Sequence, residues 1–262
     1  MRKFVLGDVH GGYKSMMQVF ERSGIDYKND LIISVGDICD GWPEVPECFE
    51  ELFKFENFKY MLGNHDDWTL MWMNGKFNFN SMSDMQARSW LAHGGEATLS
   101  AYTNEKNYDF LKKHKEFLEN EAMLYYVDDE NRWFSHAGWD PLTSKQVKND
   151  YIWSRDFWRG MYDGRNFAKD YEQVFIGHTP TINFPDNKHD CREPIHRKNV
   201  WNVDTGACYT GRVTLMDIDT FEYYQSDDVQ ELYPDFAGRN NESFNSREAR
   251  RKRHEEEENN NK

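Results

Sequence analysis

Basic charge is what this chain has too little of. Its 32 Lys and Arg stand against 46 Asp and Glu, a formal net charge of −14 at pH 7. That balance disfavours a broad surface for gripping a nucleic-acid backbone. A phosphorylated substrate stays open, because bound divalent cations reverse such a field locally. No apolar run approaches the ~20 residues of a membrane helix, which argues against a membrane partner. The opening "MRKFVLGDVHGG" carries an apolar patch too short for a signal peptide, so the expectation is a cytoplasmic protein. Cysteine is scarce as well. Cys39, Cys48, Cys191 and Cys208 form no CxxC pair and no zinc-ribbon spacing, and read as free thiols.

What the chain does have is aromatic mass, nine Trp, fourteen Tyr and eighteen Phe in 262 residues, enough length for a sizeable core. "KFVLGD", "DLIISVGD" and "FKYMLGN" read as buried strands separated by the helices "GGYKSMMQVFERSG", closed by Gly24, and "VPECFEELFKF". This alternation predicts an α/β layered core. From 66 to 120 the pattern turns helical, as in "NEKNYDFLKKHKEFLEN". Strand-like segments return with "AMLYYVDDENRWFSHAG", a predicted hairpin, then "EQVFIGH", "NVWNVDTGA", "RVTLMDID" and "FEYYQ". Residues 180–200 carry Pro, Asp and Asn punctuation and predict a long loop or insertion. Residues 238–262 have almost no apolar content and oppose a basic block to an acidic one. They predict a polar, disordered tail after a domain over 1–237.

Three early strands each end in a polar cluster: "GDVHG" at 7–11, "GDICD" at 36–40 and "GNHDD" at 63–67. Two later strands end in "SHAG" and "GHTP", with His136 and His178. The carboxyl ends of parallel strands lie along one edge, where sites are built, so Asp8, His10, Asp37 and Asn64 are expected to converge there. One "GD" is an ordinary turn signal and one His after a strand is usually structural. Five such clusters together point to a site. Mixed Asp, His and Asn donors suit borderline divalent ions such as Mn²⁺, Fe²⁺ or Zn²⁺. Two such ions need a bridging carboxylate, for which Asp37 is the natural candidate. A shared water then loses a proton near neutral pH and attacks phosphorus in line, the chemistry of phosphoester hydrolysis.

The series GDxHG, GDxxD, GNHD, HAG and GHTP resembles the calcineurin-like metallophosphoesterases. Within them it is most similar to the phosphoprotein phosphatase branch, which holds bacteriophage and bacterial serine/threonine phosphatases and the related symmetrical dinucleoside-tetraphosphate hydrolases. The resemblance implies a layered β-sandwich flanked by helices, with a dinuclear metal site at the strand ends. It implies one divalent ion held by Asp8, His10 and Asp37 and a second held by Asp37, Asn64, His136 and His178, with Mn²⁺ the expected ion in vitro. It further implies His65 as general acid with Asp40 orienting and charging its imidazole, a partnership expected to raise the His65 pKa. Asp66 either bonds a residue behind the ligands or caps the helix that follows; Asp67 is the favoured cap.

One departure stands out. The branch pattern GDxxDRG places a phosphate-clamping Arg where this chain has "GDICDGW", with Gly41 and Trp42. Loss of such a charged hydrogen bond costs about 1.5–3 kcal/mol. "IWSRDFWRG" (152–160) resembles a family stretch with a phosphate-binding Arg, which makes Arg155 the candidate ahead of Arg159 and Arg165; the bland alternative is a surface ion pair with Asp156. Trp42 either covers the site or is pinned in the core. The expected function is metal-dependent hydrolysis of phosphomonoesters, with a phosphoserine/phosphothreonine protein as substrate. The alternative is a nucleotide or dinucleoside-polyphosphate hydrolase, for which the many Trp and Tyr could stack a base. Binding of a phosphorylated partner without turnover is disfavoured because Asp37, Asn64 and His65 are all present.

Overall fold

Strict alternation of apolar side chains along the short strands decides the layering. In the computed structural model, which describes residues 1–81, 83–184 and 192–240, ten strands form two five-stranded sheets. The first contains β1 (Lys3–Leu6), β2 (Leu31–Ser34), β3 (Asn57–Tyr60), β9 (Thr214–Asp217) and β10 (Tyr223–Gln225), in the order β10-β9-β1-β2-β3. The second contains β4 (Tyr125–Val127), β5 (Arg132–Ser135), β6 (Gln173–Ile176), β7 (Ile195–Arg197) and β8 (Val200–Asn202), in the order β4-β5-β6-β8-β7.

Val5, Ile33 and Val35 from one sheet meet Phe134, Phe175 and Val203 from the other in a single apolar layer. The intervening residues point the opposite way. Phe4, Leu6 and Ile32 pack beneath α1 (Tyr13–Ser23), α2 (Val45–Leu52), α5 (Glu96–Thr103) and α6 (Tyr108–Asn120). Trp133, Val174 and Ile176 pack beneath α7 (Lys148–Ile152) and α8 (Asp156–Tyr162). The period of two therefore buries both faces of each sheet, giving helices, sheet, sheet, helices. This is the layered sandwich the sequence implied. Phe134 and Phe175, neighbours on parallel strands, stack at 5.1 Å and 7° within the central layer.

The expected helices and strands are present, including the β4–β5 hairpin, and Gly24 closes α1 in the left-handed conformation with φ 57°. Between 66 and 120 the chain runs through α3 (Asn64–Met73), α4 (Met85–Trp90), an irregular turn at Leu91–Gly95, then α5 and α6. The long loop expected at 180–200 needs correction. It includes a 3₁₀ turn, Thr181–Asn183, and the edge strand β7, which pairs antiparallel with β8 across a turn with Lys198 at φ 57°. A three-residue strand is too short to show a readable period. Residues 185–191, with Cys191, lie outside the described residues, as do 241–262; Cys39, Cys48 and Cys208 are buried free thiols. Past α9 (Val229–Leu232) the packed chain continues to Asn240, three residues into the segment whose composition read as tail. Trp42 is fully buried, donates Nε1–H to the Ala207 carbonyl at 2.7 Å and stacks on Tyr233, so it is a core anchor.

On the far side of the helical layer His114 is buried between the Tyr102 hydroxyl at 2.6 Å and the Glu50 carboxylate at 2.8 Å. Burial lowers its pKa from 6.5 to about 4, Glu50 only partly opposing. The folded imidazole thus stays neutral over a range where the unfolded one gains a proton. The unfolded state binds more protons between about pH 6.5 and 4, so this group withdraws stability as pH falls through that window. Urea unfolding should show His114→Gln losing on the order of 2 kcal/mol less than the parent chain between pH 7 and 5. Equal losses in both chains would remove His114 as the source.

Candidate metal centre

The parallel strands β1, β2 and β3 end on the same edge of the sandwich as the parallel strands β5, β6 and β8. Their exit loops carry Asp8 and His10, Asp37 and Asp40, Asn64 and His65, His136, His178 and Asp204. Donor atoms of Asp8, His10 and Asp37 converge within 4.8 Å of one another, and so do those of Asp37, His136 and His178. Asp37 belongs to both groups, the geometry expected of a bridging carboxylate. His10, Asp37, Asp40 and His178 hold φ of 53°, 53°, 70° and 68°. Such left-handed conformations are costly for residues with a side chain and concentrate at functional sites.

The histidines divide by what holds their second nitrogen. His10 Nδ1–H donates to the Cys39 carbonyl at 3.0 Å, His136 Nδ1–H to that of Val35 at 2.8 Å, and His178 Nε2–H to that of Trp153 at 3.1 Å. Each bond sets the tautomer and leaves the other nitrogen with a lone pair. For His136 and His178 that lone pair meets the Asn64 amide oxygen at 3.1 and 2.7 Å. Acceptors facing acceptors have no hydrogen to share, and a cation between them satisfies all. Among the described residues Asp8 Oδ1 and Asp204 Oδ2 are buried without a hydrogen-bond partner, a second sign that a cation belongs here. The residues therefore fit a pair of divalent ions.

The electrostatics agree. Burial, then Asp204 and Asp37, pushes Asp8 well above the usual carboxylate range. Burial alone would also raise Asp37, but His136, His65 and His10 outweigh it and hold Asp37 well below. Burial pushes Asp204 up to about 6. Burial also lowers His10 and His178, while Asp37 raises His136 against burial. Crowded carboxylates among largely neutral imidazoles are poised for positive charge from outside the chain.

His65 is built differently. Its Nδ1 meets a carboxylate, Asp40 Oδ2 at 2.7 Å, and its ring stands 5.0 Å from that of His10. Asp40 also accepts from the Thr98 hydroxyl at 2.7 Å and from Trp90 Nε1 at 3.0 Å. The expected rise in the His65 pKa is corrected: burial, then the Arg239 guanidinium, holds it well below its ordinary value, while burial pushes Asp40 up to about 8.

Asp66, not Asp67, closes the capping box of α3, accepting from the Gly63 amide at 2.9 Å; Asp67 pairs with Lys148 at 2.7 Å. Arg155 is half-buried and donates to the His178 carbonyl at 3.2 Å and the Thr179 hydroxyl at 2.9 Å, with no Asp156 ion pair among the described residues. Arg159 and Arg165 are exposed. Sequence reasoning missed Asp204, although "WNVDTGA" was readable as a strand followed by a turn. It also missed Trp90 and Thr98, which carried no signal within a helical stretch, and Arg239, which lay in a compositional tail.

A methyl group at Gly177 would sit 2.1 Å from Asp8 Oδ1 and 2.9 Å from Val35 Cγ2. Gly177→Ala must therefore displace the Asp8 carboxylate. Equilibrium dialysis against Mn²⁺ should show the variant binding one ion per chain where the parent binds two, with its far-UV spectrum unchanged. Two ions in both chains would remove Asp8 from the ligand set.

The chain has relatives among known proteins. The model of the calcineurin-like phosphoesterase family matches residues 1–182. An asymmetrical bis(5'-nucleosyl)-tetraphosphatase, PrpE, of Halalkalibacterium halodurans is 26% identical over 246 residues, covering 84% of this chain and 91% of that protein. Serine/threonine-protein phosphatase 1 of Salmonella typhimurium is 23% identical over 228 residues, covering 81% and 89%. Among solved structures, a metallophosphoesterase from Sphaerobacter thermophilus superposes with a TM-score of 0.53 at 16% identity, over 89% of this chain and 95% of that one. With the family model spanning most of its length, the chain belongs to the calcineurin-like phosphoesterases, metal-dependent hydrolases.

Proposed function

We propose that this chain hydrolyses phosphomonoesters of poor leaving groups, with phosphoserine or phosphothreonine in a protein as the substrate class. The observation that carries the reading is the Asp40–His65 pair, joined at 2.7 Å beside the carboxylate and imidazole cluster. An alkoxide departs readily only if it is protonated as it leaves, and a carboxylate-held imidazole is a device for that step. The chain's own residues then have separate tasks. Asp8, His10, Asp37, Asn64, His136 and His178 hold two divalent ions, which when bound supply the Lewis-acid charge that activates water and neutralises the phosphate oxygens. Arg155 lines the same mouth as a cation for the phosphate. As water adds to phosphorus and the P–O bond opposite breaks, His65 Nε2–H gives its proton to the leaving oxygen. Asp40, fixed by Thr98 and Trp90, keeps the ring in place.

A second reading, hydrolysis of a dinucleoside polyphosphate, is favoured by a different observation. Trp68 and Trp153 are part-exposed, with rings 4.7 Å apart, and Trp68 lies 5.3 Å from His65. The rings meet edge to face at 68°, which leaves an indole face on which a base would stack in this reading. The relative PrpE is named for that substrate class.

Turnover with Mn²⁺ of a phosphothreonine peptide, diadenosine tetraphosphate and p-nitrophenyl phosphate, with Asp37→Asn as the blank, separates the readings. Peptide turnover well above the dinucleotide is expected; the reverse order transfers the proposal to the second reading. His65→Asn should lower kcat on the peptide by about 10²–10⁴. The same variant should lose far less on p-nitrophenyl phosphate, whose leaving group departs without a proton. Equal losses on both substrates would show that His65 is not the acid.

A further inference from the structure

The chain lacks an arginine at position 41, and the fold brings a different one to that place. We propose that Arg239, from the far end of the described chain, is a second guanidinium, beside Arg155, that grips the substrate phosphate; the proposal rests on the phosphoesterase reading above. Its Cγ lies 3.8 Å from where a Cβ on Gly41 would be and 3.2 Å from where one on Gly94 would be. Its Nη1–H donates to His65 Nε2, the nitrogen turned away from Asp40, at 3.1 Å, so the guanidinium releases that nitrogen when it turns to phosphate. Among the described residues Arg239 has no ion-pair partner, although it lies in the field of Asp37 and Asp40. A cation beside the acid, facing the cluster and unclaimed by a carboxylate, is available to phosphate oxygens.

The dipeptide that replaces the expected arginine is what admits this one. Gly41 has φ +104° and donates its N–H to the Gly94 carbonyl at 3.1 Å, a conformation that strains any side-chain-bearing residue. An arginine at 41 would thus need the turn rebuilt. Trp42 supplies the seat for the incoming segment. A Cβ on Gly238 would fall 2.5 Å from the Trp42 ring, so only glycine lets the chain cross that face. The Arg239 N–H then bonds the Cys208 carbonyl at 3.0 Å, and its guanidinium lies over the Tyr209 ring at 5.1 Å. Asn240 is held in turn by Gln230 at 3.1 Å. The segment is fixed on both sides of Arg239, which presents the guanidinium without further ordering.

The test uses the full chain loaded with Mn²⁺ and inorganic phosphate as the probe. Arg239→Gln should weaken phosphate, measured calorimetrically and as a competitive inhibitor, by about 10- to 100-fold. KM for p-nitrophenyl phosphate should rise in parallel, while dialysis shows unchanged metal stoichiometry. Arg239→Lys, a point charge without the fork, should recover part of the loss. On the unmutated chain, phosphate should protect Arg239 from phenylglyoxal as mapped by mass spectrometry, a readout independent of how any variant folds. Phosphate affinity unchanged in Arg239→Gln, or Arg239 modified equally with and without phosphate, overturns the proposal while leaving the phosphoesterase reading intact. A parent chain that binds metal but neither phosphate nor phosphoesters overturns both.

Discussion

The carboxylate of Asp66 is the fixed point of this molecule. It accepts from the amides of Asp37, Ile38 and Cys39 at 2.9, 3.1 and 3.1 Å, from the Gly63 amide at 2.9 Å and from the Tyr60 hydroxyl at 2.8 Å. Those donors come from the turn after β2 and from the end of β3 with the start of α3. One buried side chain therefore locks the loop that presents Asp37 against the helix that presents Asn64 and His65. Burial, then Asp37, pushes the Asp66 pKa up to about 6, against the pull of its own donors. The charge is costly to bury and is held because its partners are too many to satisfy otherwise. Left-handed backbone at Asp37 persists on the same account, while at Asp40 the backbone N–H is held by the Thr98 hydroxyl at 2.9 Å.

From that anchor the functional division of the histidines follows. Three have their second nitrogen tied to a backbone carbonyl, and their free nitrogens converge on carboxylate and amide oxygens. The fourth, His65, is tied to Asp40 and turns its other nitrogen to Arg239. Either kind of partner sets the tautomer and the orientation of the ring.

The helical stretch at 66–120 has more than one connection to the centre. It delivers Trp90 Nε1 and the Thr98 hydroxyl to Asp40, and through Gly94 it meets the turn at Gly41. Trp42, buried and stacked on Tyr233, joins that turn to the last described segment of the chain. His65 is thus supported from three distant parts of the sequence, through Asp40 and Arg239.

The sequence by itself determined the strands, the clusters at their ends and the identity of the converging Asp, His and Asn, because backbone period and exit-turn chemistry are local properties. The sandwich was what the family resemblance implied, whereas the α/β layering was legible from the alternation of strands and helices. The edge strand β7 was not, since three residues carry no period. Asp66 as the loop anchor, Asp204 in the cluster, Trp90 and Thr98 behind Asp40, and Arg239 at the vacancy left by Gly41 were decided only by tertiary structure. Each acts through a neighbour tens to nearly two hundred residues away, and no local pattern records which distant backbone or side chain a polar group will meet once the sheets close on each other.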